Sequence, residues 1–136
     1  MADCLFCGIA AGDVPATLVA ESEAALAFMD IFPAVDGHVL VIPRAHHDDA
    51  LGADREALAA CIELAGEVGR AQEAALGATG VTFLSCARPD GWQSVFHLHV
   101  HVLPRTAGDG LAIPWPVEAG DPERIASVAE RLRAAR

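Results

Sequence analysis

Apolar residues follow two rhythms along this chain, short continuous blocks and three- or four-residue steps, and together these predict its elements. Cys4 to Ala11 reads as a short helix, stopped by Gly12 and the turn-prone Asp13-Val14-Pro15. The apolar runs Thr17–Ala20 and Ala25–Met29, separated by Glu21-Ser22-Glu23, predict a hairpin. After the Asp36-Gly37 turn, His38-Val39-Leu40-Val41-Ile42 predicts a buried strand stopped by Pro43. From Asp54 to Leu76 the side chains Leu58, Ile62, Ala65, Val68, Ala71 and Ala75 recur at helical steps, with Asp54 as cap and Gly77 as terminator. Val81–Cys86 and Val95–Leu103 predict two more strands around a loop containing Arg88-Pro89-Asp90-Gly91. Asp121-Pro122-Glu123 opens a last helix, expected to bury Ile125, Val128 and Leu132.

The expected fold class is therefore α+β, with about five mostly antiparallel strands, one long helix and a C-terminal helix. No repeat, low-complexity tract or charge block divides the chain, so residues 1–136 are expected to form a single domain. That length buries a continuous core without disulfide staples. Although 53% of the residues are hydrophobic, no segment approaches the roughly 20 uninterrupted apolar residues of a membrane span. The N-terminus lacks a basic region followed by an apolar run, and a cytoplasmic location is the expectation.

Charge narrows the function further. The formal net charge of −10 disfavours a nucleic-acid polymer as partner, because such binding relies on Lys and Arg displacing counterions. A small phosphate ligand remains compatible, since a few histidines and backbone N–H groups can build a local anion site.

The densest chemistry is His97-Leu98-His99-Val100-His101. In a strand, alternate side chains share a face at spacings of about 6.5 to 7 Å. His97, His99 and His101 would project from one face, with Phe96, Leu98, Val100 and Val102 supplying the core from the other. Three imidazoles in a row suit phosphoryl chemistry: a neutral ring attacks phosphorus, and neighbouring N–H groups stabilise developing charge and protonate the leaving group.

Cys4, Cys7, Cys61 and Cys86 read as thiols or metal ligands rather than disulfides. Only Cys4 and Cys7 have the two-residue gap that lets both thiolates face one metal. Zinc would need two further ligands, from among His46, His47 and His97. A redox pair and inert thiols are the rival readings.

The segment Gln93-Ser94-Val95-Phe96-His97-Leu98-His99-Val100-His101-Val102-Leu103 resembles the signature of the histidine-triad (HIT) superfamily of nucleotide hydrolases and transferases. Phe28-Met29-Asp30-Ile31-Phe32-Pro33 and Gly37-His38-Val39-Leu40-Val41-Ile42-Pro43-Arg44-Ala45-His46 resemble that family's other block, and with Cys4-Leu5-Phe6-Cys7 the likeness covers most of residues 4–105. The resemblance implies that His99 is a nucleophile carrying a nucleotidyl group from an α-phosphate. It assigns His101 and His38 to phosphate contact and proton transfer, Ser94 to the phosphate and leaving group, and Gln93 to the same motif. Asp30 matches the ribose-binding acid. Leu5, Phe6, Ile9, Phe28, Ile31 and Val95 match the walls of the purine site.

Bacterial members of the Hint-like branch further imply a structural zinc on Cys4, Cys7, His46 and His97, and a homodimer whose sheet continues across the interface. The sequence departs from the family at Cys86, where an amide side chain is common, and at Trp92, where a small residue is. Trp92 and Trp115 would narrow the leaving-group side or serve a subunit interface. The implied activity is cleavage of a phosphoramidate or similar conjugate of a purine nucleoside monophosphate. The alternatives are a dinucleoside polyphosphate hydrolase and a zinc-stabilised nucleotide-binding protein with vestigial activity.

Overall fold

The computed structural model describes residues 3–136. The expected α+β class is the one observed, in the order α1 (Leu5–Ala11), β1 (Leu18–Glu21), β2 (Ala25–Met29), β3 (Val39–Pro43), α2 (Arg55–Leu76), β4 (Gly80–Leu84), β5 (Val100–Arg105) and α3 (Pro122–Ala134), with a single 3-10 turn at Pro89–Gly91. The five strands form one sheet in the order β1-β2-β3-β5-β4, and each neighbouring pair is antiparallel. No helix is long and apolar enough to cross a membrane among the described residues.

Both faces of the sheet are covered near its centre, which explains the unbroken apolar runs of β2 and β3. On one face Ala25, Ala27, Val39, Val41, Leu98, Val100 and Val102 pack against Cys61, Leu64, Ala65 and Val68 of α2. On the other, Leu26, Phe28, Leu40 and Ile42 meet Phe6 of α1. The caps read from the sequence are formed: Asp54 Oδ1 accepts from the Ala57 N–H at 2.8 Å, and Gly77 ends α2 at φ 69°, where a residue without Cβ is unstrained.

Three local expectations are corrected. The buried stripe of α2 is Ala57, Cys61, Leu64, Ala65, Val68, Gly69 and Gln72, whereas Ile62, Ala71 and Ala75 face solvent. Adjacent helical residues differ by about 100°, so apolar residues on neighbouring rows satisfy the same spacing while only one row meets the sheet. The last strand begins at Val100 and not at Val95. Residues 95–99 approach it as irregular chain, and Phe96 is exposed rather than in the core. Finally, α3 is capped as expected, with Asp121 Oδ1 accepting from the Glu123 N–H, but it buries none of Ile125, Val128 and Leu132. An amphipathic pattern specifies a helix with an apolar side and leaves its partner unspecified.

Candidate active site

β3 and β5 lie side by side in the middle of the sheet, with Leu40 opposite His101. This pairing brings His38, just before β3, against the end of the histidine segment. The rings of His99 and His101 have centroids 5.1 Å apart, as do those of His38 and His101. Alternation survives through the irregular approach: Leu98, Val100 and Val102 point to α2, while His97 and His99 lie edge-on to Phe6 of α1 on the opposite face.

Hydrogen-bond partners assign the tautomers. His99 Nδ1 is 2.7 Å from the His97 carbonyl oxygen, which can only accept, so Nδ1 carries the proton and Nε2 keeps its lone pair. The Ala34 N–H donates to His38 Nδ1 at 3.0 Å, leaving the His38 proton on Nε2. That Nε2 lies 2.8 Å from His101 Nδ1 and 3.4 Å from Asp30 Oδ2. His101 Nδ1 is thereby an acceptor, and its proton sits on Nε2.

Burial favours the neutral rings. His101 is lowered to about 4 by burial first and then by its His99 and His38 neighbours, against a smaller opposing pull from Asp30. Burial also lowers His99, opposed by its bond to His97 and by Asp30. His38 is lowered for the same reason, again opposed by Asp30. An uncharged His99 is the form that can attack phosphorus.

A cavity of about 380 Å³ opens beside these rings and contains Leu5, Phe6, Ile9, Phe28, Asp30, Ile31, Ser94, Val95, His99 and His101 in its wall. Ten of the expected substrate-facing and catalytic residues thus meet in one place, within the size range of small-ligand sites. Asp30 Oδ1 accepts from the Phe32 N–H at 2.8 Å, which orients the carboxylate and leaves lone pairs for further donors. His38 stands behind His101 and Asp30 instead of in the wall. Gln93 is buried beside the cavity, its amide occupied by backbone: Oε1 accepts from Arg88 N–H at 2.7 Å, and Nε2 donates to Asp48 O at 2.6 Å and Val95 O at 3.1 Å. Its place is that of a fastener for the loop before Ser94.

Sequence reasoning missed several contributors. Leu40, Met29, Phe32 and the Val14-Pro15-Ala16 turn complete the cavity. Leu40 was legible only as a strand residue, and the turn only as punctuation. Ser85 Oγ donates to His99 O at 2.8 Å, a contact across the β4–β5 pair that no local signal announces.

The second cluster lies behind His99. Cys4 Sγ is 3.4 Å from His97 Nδ1, and Cys7 Sγ is 3.3 Å from His46 Nδ1 and 3.5 Å from His97 Nδ1. All four ligand atoms lie within 4.8 Å of one another. Sulfur and nitrogen on adjacent corners of a tetrahedral zinc site are about 3.5 Å apart. The outer nitrogens are engaged as such a site needs: His97 Nε2 donates to Pro43 O at 2.9 Å, and His46 Nε2 faces Asp48 Oδ1 at 2.8 Å, each leaving Nδ1 free to ligate. Residues and geometry fit the metal. His47, the other candidate, turns away to Asp54, 3.8 Å off.

An antiparallel sheet presenting ordered imidazoles to an apolar cavity defines a histidine-triad protein. Residues 11–108 match the family model described as HIT domain, and the chain belongs to the HIT family. A solved structure from Streptococcus mutans superposes with a TM-score of 0.93 at 38% identity, covering 99% of this chain and 86% of that one. The adenosine 5'-monophosphoramidase hnt1 of Schizosaccharomyces pombe is 33% identical over 130 residues, 95% of each chain. A zinc-bound histidine triad family protein from Mycobacterium smegmatis is 32% identical, with a TM-score of 0.78 and 99% of both chains covered. Membership makes this chain a nucleotide hydrolase or nucleotide-binding protein.

Proposed function

We propose that the chain hydrolyses purine nucleoside monophosphate conjugates, phosphoramidates above all, at the α-phosphate through a nucleotidyl intermediate on His99. The observation that carries this reading is the bond from His99 Nδ1–H to His97 O, which leaves the Nε2 lone pair available for attack in a ring forming part of the cavity wall. Attack forms the P–Nε2 bond as the bond from phosphorus to the leaving nitrogen or oxygen breaks. His101 Nε2–H hydrogen-bonds the leaving atom and stabilises the charge on phosphorus while its ring stays neutral; a phosphoramidate nitrogen protonated from solvent departs as the amine, and the water that then cleaves the P–Nε2 bond releases its proton to solvent. His38 keeps His101 in the required tautomer. Asp30 accepts from the ribose hydroxyls, Ser94 contacts the phosphate, Gln93 holds Ser94's loop, and Leu5, Phe6, Ile9, Phe28, Ile31 and Val95 enclose the purine.

Zinc on Cys4, Cys7, His46 and His97 completes this reading. Four protein ligands leave no open position, so the metal supplies rigidity and takes no part in the reaction. With His97 committed to it, the carbonyl that orients His99 is held in place. The chain works as a single domain of residues 1–136 in the cytoplasm, as a homodimer in which an edge strand, β1 or β4, pairs with its counterpart. The zinc ligands and the homodimer rest on the family resemblance, the single domain and the location on the composition of the chain.

Product analysis tests the reaction. Fast conversion of adenosine phosphoramidate to AMP, slow cleavage of diadenosine polyphosphate, and loss of both in His99→Ala are expected. The reverse substrate order assigns a dinucleoside polyphosphate hydrolase, and turnover undiminished in His99→Ala leaves a nucleotide-binding protein with vestigial activity. Mass spectrometry after brief substrate exposure should find the added nucleotidyl group on His99.

A further inference from the structure

Only two described residues other than glycine hold a positive φ, Arg88 and Trp92, and both stand in the loop that leads from β4 to Ser94. Trp92, whose ring stacks on that of Trp115 with centroids 6.1 Å apart, has φ 75° and ψ 15°, an ordinary left-handed turn conformation. Arg88 is the more demanding case. Its φ of 70° and ψ of 160° fall in a region that glycine occupies almost alone, because a Cβ there crowds the backbone. A residue with a side chain persists in it only when its surroundings over-determine its conformation.

Contacts on both sides of Arg88 do so. Its backbone N–H donates to Gln93 Oε1 at 2.7 Å, and its carbonyl oxygen accepts from the N–H groups of Gly91 and Gln93, each at 3.0 Å. The side chain reaches out of the loop, where Nε donates to Asp49 Oδ2 at 2.9 Å. Asp49 is 3% exposed, and its Oδ1 accepts from the Leu51 and Gly52 N–H groups at 2.9 and 3.1 Å. This carboxylate is therefore fixed in place, and as a buried charge it needs its cation. The Gln93 amide reaches the same segment one residue earlier, at Asp48 O. Residues 48–49 thus hold the loop at two points, and Ser94, which follows Gln93, joins His99 and His101 in the cavity wall.

We propose that Arg88 is a positioning residue: its ion pair with Asp49 holds the loop in a conformation that its own backbone opposes, and so sets Ser94 against the phosphate. The inference rests on the nucleotidyl-transfer reading of His99 and on the phosphate contact of Ser94. Arg88 is absent from the cavity wall and acts through Gln93 and Ser94. Backbone strain pushes the loop away from its place, and the ion pair draws it back. Losing the tether alone lets the strain act, whereas losing tether and strain together leaves the loop near where it was.

The test measures kcat and KM for adenosine phosphoramidate in the full-length protein. Arg88→Ala keeps the strain and loses the tether, so kcat should fall about tenfold or more, as expected for a displaced contact, with KM little changed. Arg88→Gly loses both and should recover most of that loss. Asp49→Asn, which keeps an acceptor for the Leu51 and Gly52 N–H groups but sets an amide N–H against Arg88, should match Arg88→Ala. In a Ser94→Ala background, Arg88→Ala should cost nothing further. Equal losses in Arg88→Ala and Arg88→Gly overturn the proposal, because the guanidinium would then act by its charge. A loss that persists in Ser94→Ala, or Arg88→Ala turning over as fast as wild type, also overturns it. In each of these cases a His99 adduct leaves the nucleotidyl-transfer reading standing. A wild type that neither hydrolyses the substrate nor forms the adduct brings down both.

Discussion

His38 Nε2 lies 2.8 Å from His101 Nδ1, and a third group decides which ring owns the proton. Because the Ala34 N–H occupies His38 Nδ1, His38 must donate and His101 must accept. The backbone of the 31–38 loop thus sets the protonation of a ring on β5, and His101 keeps an N–H at Nε2 for a phosphate oxygen or leaving group.

Removing that donor should slow chemistry more than binding. In His38→Ala we expect kcat for adenosine phosphoramidate to fall about 10²-fold or more, the scale of a misplaced proton donor, with KM little changed. His38→Gln, which keeps an N–H donor, should recover part of the loss. A change confined to KM would contradict the tautomer argument.

Protein purified without chelator should contain about one zinc per chain, lost in Cys7→Ser. Chelation should lower Tm, because the cluster ties α1 to the segments carrying His46 and His97. It should also depress activity, since the His97 carbonyl orients His99. Metal analysis finding much less than one zinc per chain would remove the zinc site from this account.

Acid should destabilise the fold partly through His101. The folded chain holds this ring at about 4 against an ordinary 6.5, so between those values the unfolded chain binds more protons and stability drops as pH falls. The contribution is complete above about pH 6.5 and disappears towards pH 4. Urea midpoints measured at pH 7 and pH 5 should differ less in His101→Gln than in wild type. Equal differences would show that His101 contributes nothing to the acid sensitivity.

Gln72 of α2 is buried, and its Nε2 donates to Gly37 O at 2.9 Å and Val102 O at 3.0 Å. These carbonyls directly flank His38 and His101. Gln72→Leu should cost about 1–3 kcal/mol by leaving buried acceptors unpaired, measurable by urea denaturation. A variant as stable as wild type would mean that water or a shifted backbone takes over both bonds.

The order of elements, the caps of the two longer helices and ten of the sixteen residues in the cavity wall were legible in the sequence, because they depend on local chemistry and on motifs whose residues are contiguous. Asp54, Gly77 and the Asp121-Pro122 pair act on neighbours a few residues away. His97, His99 and His101 announce themselves by spacing. Which row of α2 meets the sheet, and whether α3 meets anything, depends on the surface opposite, and a periodic pattern does not contain its partner. The separate duties of the imidazoles likewise belong to the tertiary structure. Each ring's protonation is set by groups brought to it by the fold, the Ala34 N–H, the His97 carbonyl and the Pro43 carbonyl, and a backbone donor or acceptor carries no residue-specific mark in a sequence.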